Sequence, residues 1–277
     1  MEGRALEDRR GYLVVKDNDL IQKAKYNLTA AEQKLICYVI SLIKPDDTEL
    51  KEYTISVSDY CELLGIDRNR AYSDIASMVD ALDEKRIIMD NEYEHYPLRW
   101  FSEAVYQKKA GKLKVRLHTK MQRYLIGLSE KFTQYELYNI LLLKSKYSLA
   151  LYELCKSFAY RKMIDFETED LKERLGAEKY KNWNHFARRC LDVAVDEINK
   201  FTDISIQYTT IKTGRKVTGI RFRIDKKDMT DRYMTYRQVI DKINRKNHQS
   251  EGQLSIFDLD EREFKAVESI KKGMDSL

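Results

Sequence analysis

The sequence predicts an α+β, helix-rich protein built from two tandem winged-helix domains. The pattern D-x-x-E-x-L-G occurs at residues 59–65 and again 111 positions later, at residues 170–176. Each copy lies between a short strand-like run and a longer amphipathic helix, and each unit ends in a hairpin pattern. A chain of 277 residues is long enough for two such domains, each with its own core.

The first unit opens with a helix and continues with a helix-turn-helix. Thr29 and Glu32 have the spacing of a capping box, and an apolar stripe follows them. After the strand-like run 53–57, Asp59 and Glu62 have the same capping spacing, and Gly65 is placed to end the short helix. A longer helix is predicted next by apolar residues at helical spacing, which are Ile75, Val79 and Leu82.

The second unit repeats this order. Residues 145–158 have a helical stripe, residues 163–166 resemble a strand, and Asp170 and Gly176 are predicted to bound the short helix. The longer helix that follows is indicated by Ala187, Leu191, Ala194 and Ile198. The segment 132–137 fits either the start of a helix or a strand.

Both units end in a predicted wing with a basic tip. Apolar residues alternate with polar ones after the turn 108–112 and again after the turn 212–216. Those alternating residues are Leu113, Val115 and Leu117 in the first wing and Ile220, Phe222 and Ile224 in the second.

Three regions are therefore expected along the chain. Residues 1–125 would form the N-terminal winged helix, and residues 126–230 the C-terminal one. Residues 231–277 would form a further helix, roughly 232–245, and a flexible tail after the polar linker 246–252.

Composition excludes several classes of protein. The N-terminus has no apolar signal and no stretch is long enough to span a membrane, so a soluble, cytoplasmic protein is expected. Cys37, Cys61, Cys155 and Cys190 show no CxxC spacing and are interpreted as reduced core thiols. No nucleotide-binding loop, metal-ligand cluster or His pair is present, so we expect no cofactor, no metal and no catalysis.

Positive charge is concentrated in the second unit. The whole chain has a net charge of only +5, but residues 177–223 alone contain ten basic and five acidic residues. Such a local excess is expected of a surface that faces an anion.

The predicted recognition helix and wing of the second unit carry side chains suited to double-stranded DNA. In the first unit the equivalent turn is also basic, but the helix after it is acidic and is expected to contact phosphates at most. Trp183 and Phe186 are interpreted as core anchors. The candidate DNA-binding residues are Lys181, Asn182, Asn184, His185, Arg188, Arg189, Lys212, Arg215 and Lys216 in the second unit, and Arg68 and Arg70 in the first.

Several short segments, in order along residues 12–225, resemble the replication initiators of iteron-type plasmids, the RepA/RepB/RepE superfamily. They are VVKDNDLI at 14–21, LTAAEQ at 28–33, FTQY at 132–135, LYEL at 151–154, DEIN at 196–199 and GRK at 214–216. The resemblance implies that the C-terminal winged helix reads repeated origin DNA (iterons), while the N-terminal one contacts the DNA backbone or forms a homodimer. It also implies origin opening for theta replication by monomers, recruitment of host replication proteins, and repression of the initiator's own promoter by dimers. Ala187 departs from relatives that have Arg there, so the base sequence is left open.

The tail carries a second resemblance. Gln253, Leu254, Ile256 and Phe257 are similar to the short peptide by which bacterial replication proteins bind the sliding clamp. The alternative is that these apolar residues dock on the second domain. For the whole chain, two other functions remain open: a winged-helix transcriptional repressor, and a rolling-circle nickase, which the missing His pair disfavours.

Overall fold

The computed structural model describes residues 12–90 and 95–250, with no side-chain description for 68–73, 90, 95–96 and 248–250. Within that part no helix is long and apolar enough to cross a bilayer. The first half contains β1 (Leu13–Asp17), α1 (Asn18–Gln22), α2 (Ala30–Ile40), β2 (Glu52–Ser56), α3 (Val57–Leu64), α4 (Arg68–Glu84), β3 (Arg86–Asp90), β4 (His95–Arg99), β5 (Phe101–Gln107), β6 (Lys112–Leu117) and α5 (Gln122–Leu125).

The second half repeats the order of helices and strands apart from the hairpin of β3 and β4, which occurs only in the first. It contains β7 (Phe132–Glu136), α6 (Tyr138–Leu141), α7 (Lys146–Ser157), β8 (Met163–Glu167), α8 (Thr168–Arg174), α9 (Trp183–Phe186), a π-helical segment (Ala187–Leu191), α10 (Asp192–Phe201), β9 (Ile204–Thr213), β10 (Lys216–Lys226) and α11 (Met229–Ser250). The ambiguous segment 132–137 is thus a strand over most of its length.

Each half is a winged helix, as the sequence predicts. Helices α3 and α4 form the first helix-turn-helix, and its sheet has the order β2-β6-β5. Helix α8 and the long helix from α9 to α10 form the second, with the sheet β8-β10-β9. All strand pairs in both sheets are antiparallel, so each sheet ends in a hairpin wing.

A two-stranded sheet joins the two halves. Strand β1 precedes the first helices of one module and β7 precedes those of the other, and they pair antiparallel with Leu13 opposite Glu136 and Asp17 opposite Phe132. The pairing therefore joins the two modules through their first strands.

A buried polar cluster lies beneath this sheet. The Lys16 ammonium is 2.6 Å from Glu153 Oε1 and 3.4 Å from Cys37 Sγ, and the Tyr135 hydroxyl also donates to Glu153. Burial by itself would lower the pKa of Lys16, but the Glu153 carboxylate attracts the ammonium and hydrogen-bonds to it, and the pKa is raised. Burial raises the pKa of the Cys37 thiol to about 11, so the thiol is neutral at pH 7.

The short helices begin earlier than the repeated pattern predicts. Helix α3 starts at Val57 because the side chain of Ser56 accepts a hydrogen bond from the Asp59 backbone N–H. Asp59 and Asp170 therefore lie in the first turn and are not the caps; there a carboxylate still favours the positive end of the helix dipole. The prediction for Gly65 was correct, since it ends α3 with φ +63°.

The prediction of a polar linker at 246–252 is wrong for residues 246–250, because α11 continues to Ser250. Packing explains the extension. Val239, Ile240 and Ile243 are buried, and the Asn247 amide donates to the carbonyl of Glu62 at 2.9 Å. Helix α11 thus begins after the last strand of the second module and ends against α3 of the first.

Candidate nucleic-acid interface

The start of the second module's long helix is exposed on one side and anchored on the other. Asn182 is its N-cap, and its Oδ1 accepts hydrogen bonds from the backbone N–H groups of Asn184 (2.8 Å) and His185 (3.3 Å). Phe186 is fully buried against Trp183, as predicted for core anchors. The exposed candidates are Lys181, Asn182, Asn184, His185, Arg188 and Arg189. The Oδ1 atom of Asn182 is committed to the cap, so the other five are better placed to contact DNA.

A π-helical segment interrupts this helix at Ala187–Leu191. Its wider turn lets two consecutive residues, Cys190 and Leu191, both reach the core, while Arg188 and Arg189 both face outward. The segment therefore presents two adjacent guanidinium groups on the outer face of the helix without loss of packing.

The wing of the second module is a tight hairpin with three exposed cations. Thr213 pairs with Lys216, so Gly214 and Arg215 form a two-residue loop. Gly214 has φ +61°, a conformation that favours glycine. Lys212, Arg215 and Lys216 are all exposed at this tip.

The long helix and the wing strand are tied together. The Tyr208 hydroxyl of β9 donates to the Asp192 carboxylate at 2.7 Å, and Asn199 exchanges hydrogen bonds with the backbone of Ile206 at 2.7 and 3.0 Å. These contacts fix the wing relative to the helix, so both groups of cations belong to one rigid module.

Two arginines that contribute to the local charge excess are already paired. Arg221 makes a two-point contact with Asp165 at 2.6 and 2.7 Å, which lowers the pKa of that carboxyl. Arg223 lies 2.9 Å from Asp225. Both acids lie outside the window 177–223, so the sequence count overstated the positive charge of the sheet face. The cations at the helix start and at the wing tip remain exposed.

The first module has a different surface. The side chains of Arg68 and Arg70 lie outside the described residues, and the backbone places both in the first turn of α4. Further along α4, acidic side chains are exposed, as predicted. Its wing tip exposes three lysines that are not among the candidate DNA-binding residues, although the turn 108–112 is basic in the sequence. They are Lys108, Lys109 and Lys112.

The described residues contain no group of His, Cys, Asp and Glu arranged to hold a metal ion. All four cysteines are buried and free, which agrees with their interpretation as core thiols. The residues of the predicted clamp peptide, Gln253, Leu254, Ile256 and Phe257, lie outside the described residues.

Comparison with known proteins agrees with this architecture. Residues 13–156 match the family model "Initiator Replication protein, WH1", and residues 167–224 match "Initiator Rep protein, WH2". The two models together span both winged helices.

Individual relatives and one solved structure are also similar. A replication initiation protein of Escherichia coli is 25% identical over 229 residues, which are 77% of this chain and 69% of that protein. The PI protein of Escherichia coli is 30% identical over 151 residues, 48% of this chain and 50% of its own length. The crystal structure of Pi initiator protein in complex with iteron DNA has a TM-score of 0.66 at 22% identity, and the match covers 79% of this chain and 99% of that one.

Proposed function

Because this chain belongs to the initiator replication protein family, we propose that it starts plasmid replication by binding repeated origin DNA sequence-specifically. Residues 126–230 read the bases, and residues 1–125 contact the backbone or form a homodimer in equilibrium with the monomer. Bound monomers help to open the origin for theta replication and recruit host replication proteins, while dimers repress the initiator's own promoter. The protein acts in the cytoplasm, without catalysis or cofactor.

The observation that carries this proposal is the pair of exposed cation groups in the second module. Arg188 and Arg189 lie in the first half of the long helix, the part of a recognition helix that reads base edges in the major groove. Arg215 and Lys216 lie at the wing tip, where contacts are made to phosphates. A guanidinium group suits guanine, and the amide of Asn184 suits adenine.

The test is a footprint of the full-length protein on the DNA next to its own gene. We expect protection of several direct repeats on one face of the helix. Protection of a single inverted repeat and nothing else would instead identify a repressor. Relaxation of supercoiled plasmid by the purified protein would contradict the non-catalytic assignment and support a nickase.

We further propose that the tail binds the bacterial sliding clamp through Gln253, Leu254, Ile256 and Phe257. Such a peptide needs a polar anchor and a few apolar side chains, and it works best when tethered near its target. The measurement is retention of the full chain on purified clamp. A Gln253→Ala, Phe257→Ala double variant should lose retention and keep its DNA affinity and melting temperature; equal retention would favour docking of the tail on the protein itself.

A further inference from the structure

The first turns of helix α11 carry apolar side chains that the described residues leave uncovered. Further along the helix the same face is packed: Tyr236 meets Tyr138 edge-on, with ring centroids 5.1 Å apart, and Ile240 is buried. Met229 and Tyr233 precede Tyr236 by seven and three residues, which places all three on one face of the helix. The exposed fractions of Met229 and Tyr233 are nevertheless 87% and 51%. The apolar face of α11 therefore extends beyond the part that other described residues cover.

One end of the β1–β7 sheet lies beside these exposed residues. Val14 is buried beneath the sheet, so its neighbour Leu13 points to the outer face, where 44% of the residue is exposed. Leu13 is opposite Glu136, and the Glu136 carboxylate lies 3.5 Å from the guanidinium group of Arg232 on α11. This ion pair holds the exposed start of α11 against the end of the sheet. The α11–β1 patch, as we name it, consists of Tyr12, Leu13, Met229 and Tyr233.

The chain enters β1 at the edge of this patch. The carbonyl oxygen of Tyr12 accepts a hydrogen bond from the Leu137 backbone N–H at 2.8 Å, which continues the antiparallel pairing by one residue beyond Leu13. An extension of β1 runs alongside the residues that follow β7, so the chain before Tyr12 is directed towards Tyr138 and α11. Residues 1–11 precede this point and lie outside the described residues.

The segment 1–11 is long enough to reach the patch and contains apolar residues that suit it. Ala5 and Leu6 are adjacent, and Leu6 is six positions from Tyr12, which corresponds to at most about 20 Å in an extended chain. On α11, the four positions from Met229 to Tyr233 span about 6 Å of the helix axis. Leu6 can therefore reach any part of the exposed face.

We propose that residues 1–11 cover the α11–β1 patch, with the side chain of Leu6 against Met229 and Tyr233. Four partly exposed residues present much less than the roughly 800 Å² that each partner buries in a stable protein complex, so the patch fits a short segment better than a second copy of the chain. The segment is attached at Tyr12, so only its own ordering opposes the contact, and burial of apolar surface favours it. The contact ties the first strand of one module to the helix that follows the other.

The first measurement is oxidation of methionines in the full chain, without a tag at its N-terminus. Hydrogen peroxide converts an accessible methionine to its sulfoxide, which mass spectrometry measures at each position. Met163 on β8 is the internal reference. An uncovered Met229 should react about 1.5 times as fast as Met163, the ratio of their exposed fractions of 87% and 58%. A Met229 that residues 1–11 cover should instead react more slowly than Met163.

Two variants in the segment test what covers Met229. Leu6→Glu should raise the oxidation rate of Met229 to about 1.5 times that of Met163, because a carboxylate is not stable against an apolar face. Gly3→Glu adds the same charge without loss of an apolar side chain and should keep the wild-type rate. Equal rates in the two variants, or a wild-type Met229 that already reacts faster than Met163, would overturn the proposal. Protection that disappears when the wild type is diluted would identify a second copy as the cover and would overturn it too.

The reverse measurement changes the helix and observes the segment. Trypsin cleaves after Arg9 and Arg10 when that part of the chain is accessible. Tyr233→Ala should speed this cleavage, whereas Tyr160→Ala, which removes an exposed tyrosine from the turn between α7 and β8, should not. Neither tyrosine belongs to the core, and a circular dichroism spectrum like that of the wild type verifies the fold of each variant. Cleavage at the same rate in the two variants contradicts the proposal.

Discussion

The two winged helices share their order of elements but differ in the charge of the helix that follows each turn. In the first module Asp74, Asp80 and Asp83 are exposed along α4. In the second, Lys181, Arg188 and Arg189 are exposed around the start of the equivalent helix. Core positions set the fold in both modules, while outward positions are free to differ, so a repeated fold does not imply a repeated binding surface.

The largest predicted effect tests whether the two modules unfold separately at all. Lys16→Met leaves Glu153 buried without its cation and should lower the free energy of unfolding by about 3–5 kcal/mol. Urea unfolding of the full chain is the measurement, and we expect a single transition. Lys16→Met with Glu153→Leu should recover most of the loss. Two resolved transitions in the wild type would show that the cluster does not couple the modules.

The next prediction contrasts the two recognition positions. Arg188→Ala and Lys181→Ala should each weaken binding to the specific site by about 1–3 kcal/mol, the range for removal of a base-directed side chain. Arg70→Ala should weaken specific and random DNA alike, because the acidic α4 keeps the first module out of the groove. The measurement is a titration of each variant with specific and with random DNA at one fixed salt concentration. Unchanged specific affinity in Arg188→Ala would mean that the recognition helix is wrongly assigned.

The wings should behave alike where the helices differ, since both tips are basic. Arg215→Ala in the second wing and Lys108→Ala in the first should each reduce the salt slope by about 0.9 and leave the sequence preference intact. A fall in slope for Arg215→Ala alone would extend the contrast between the modules from the helices to the wings.

The smallest effect concerns pH and the buried ammonium group of Lys34 on α2. The folded pKa of Lys34, about 8, is below its value in the unfolded chain, so between about pH 8 and 10.5 the unfolded state binds more protons. Stability should therefore rise with pH across that window through this group. Lys246, Lys144 and Glu197 face it and shape the curve. Lys34→Met should remove part of the rise in unfolding measured at several pH values; an unchanged curve would show that the pKa of Lys34 is not depressed.

The sequence predicted both modules because the pattern D-x-x-E-x-L-G is repeated. In the structure the glycine that ends each copy has a positive φ, the conformation that favours glycine. The sequence did not predict which strand pairs with β1, because alternation of apolar and polar side chains identifies a strand but not its partner. The hairpin of β3 and β4 was also missed. The homodimer proposed for residues 1–125 should be tested on the full chain. A fragment of those residues alone would lack β7, the strand that pairs with β1.

For the candidate site, the residue pattern predicted the exposed cations of the recognition helix and wing but could not predict their partners. Arg221 and Arg223 looked available in the sequence, whereas in the fold Asp165 and Asp225 lie beside them. Asn182 is among the candidate base readers, and the fold uses its Oδ1 atom to cap the helix, while its contact with DNA stays a prediction. In each case the deciding contact depends on the fold and not on the residue type.

The pairing of β1 with β7 also bears on how binding depends on the amount of protein. A repressor made of two chains loses its second DNA contact when dilution separates the subunits. In the proposed function both DNA-contacting modules belong to one molecule, so the second would meet the duplex at an effective concentration set by geometry, typically in the millimolar range. A single copy of this chain would therefore engage its site with both modules even in a cell that contains very few copies.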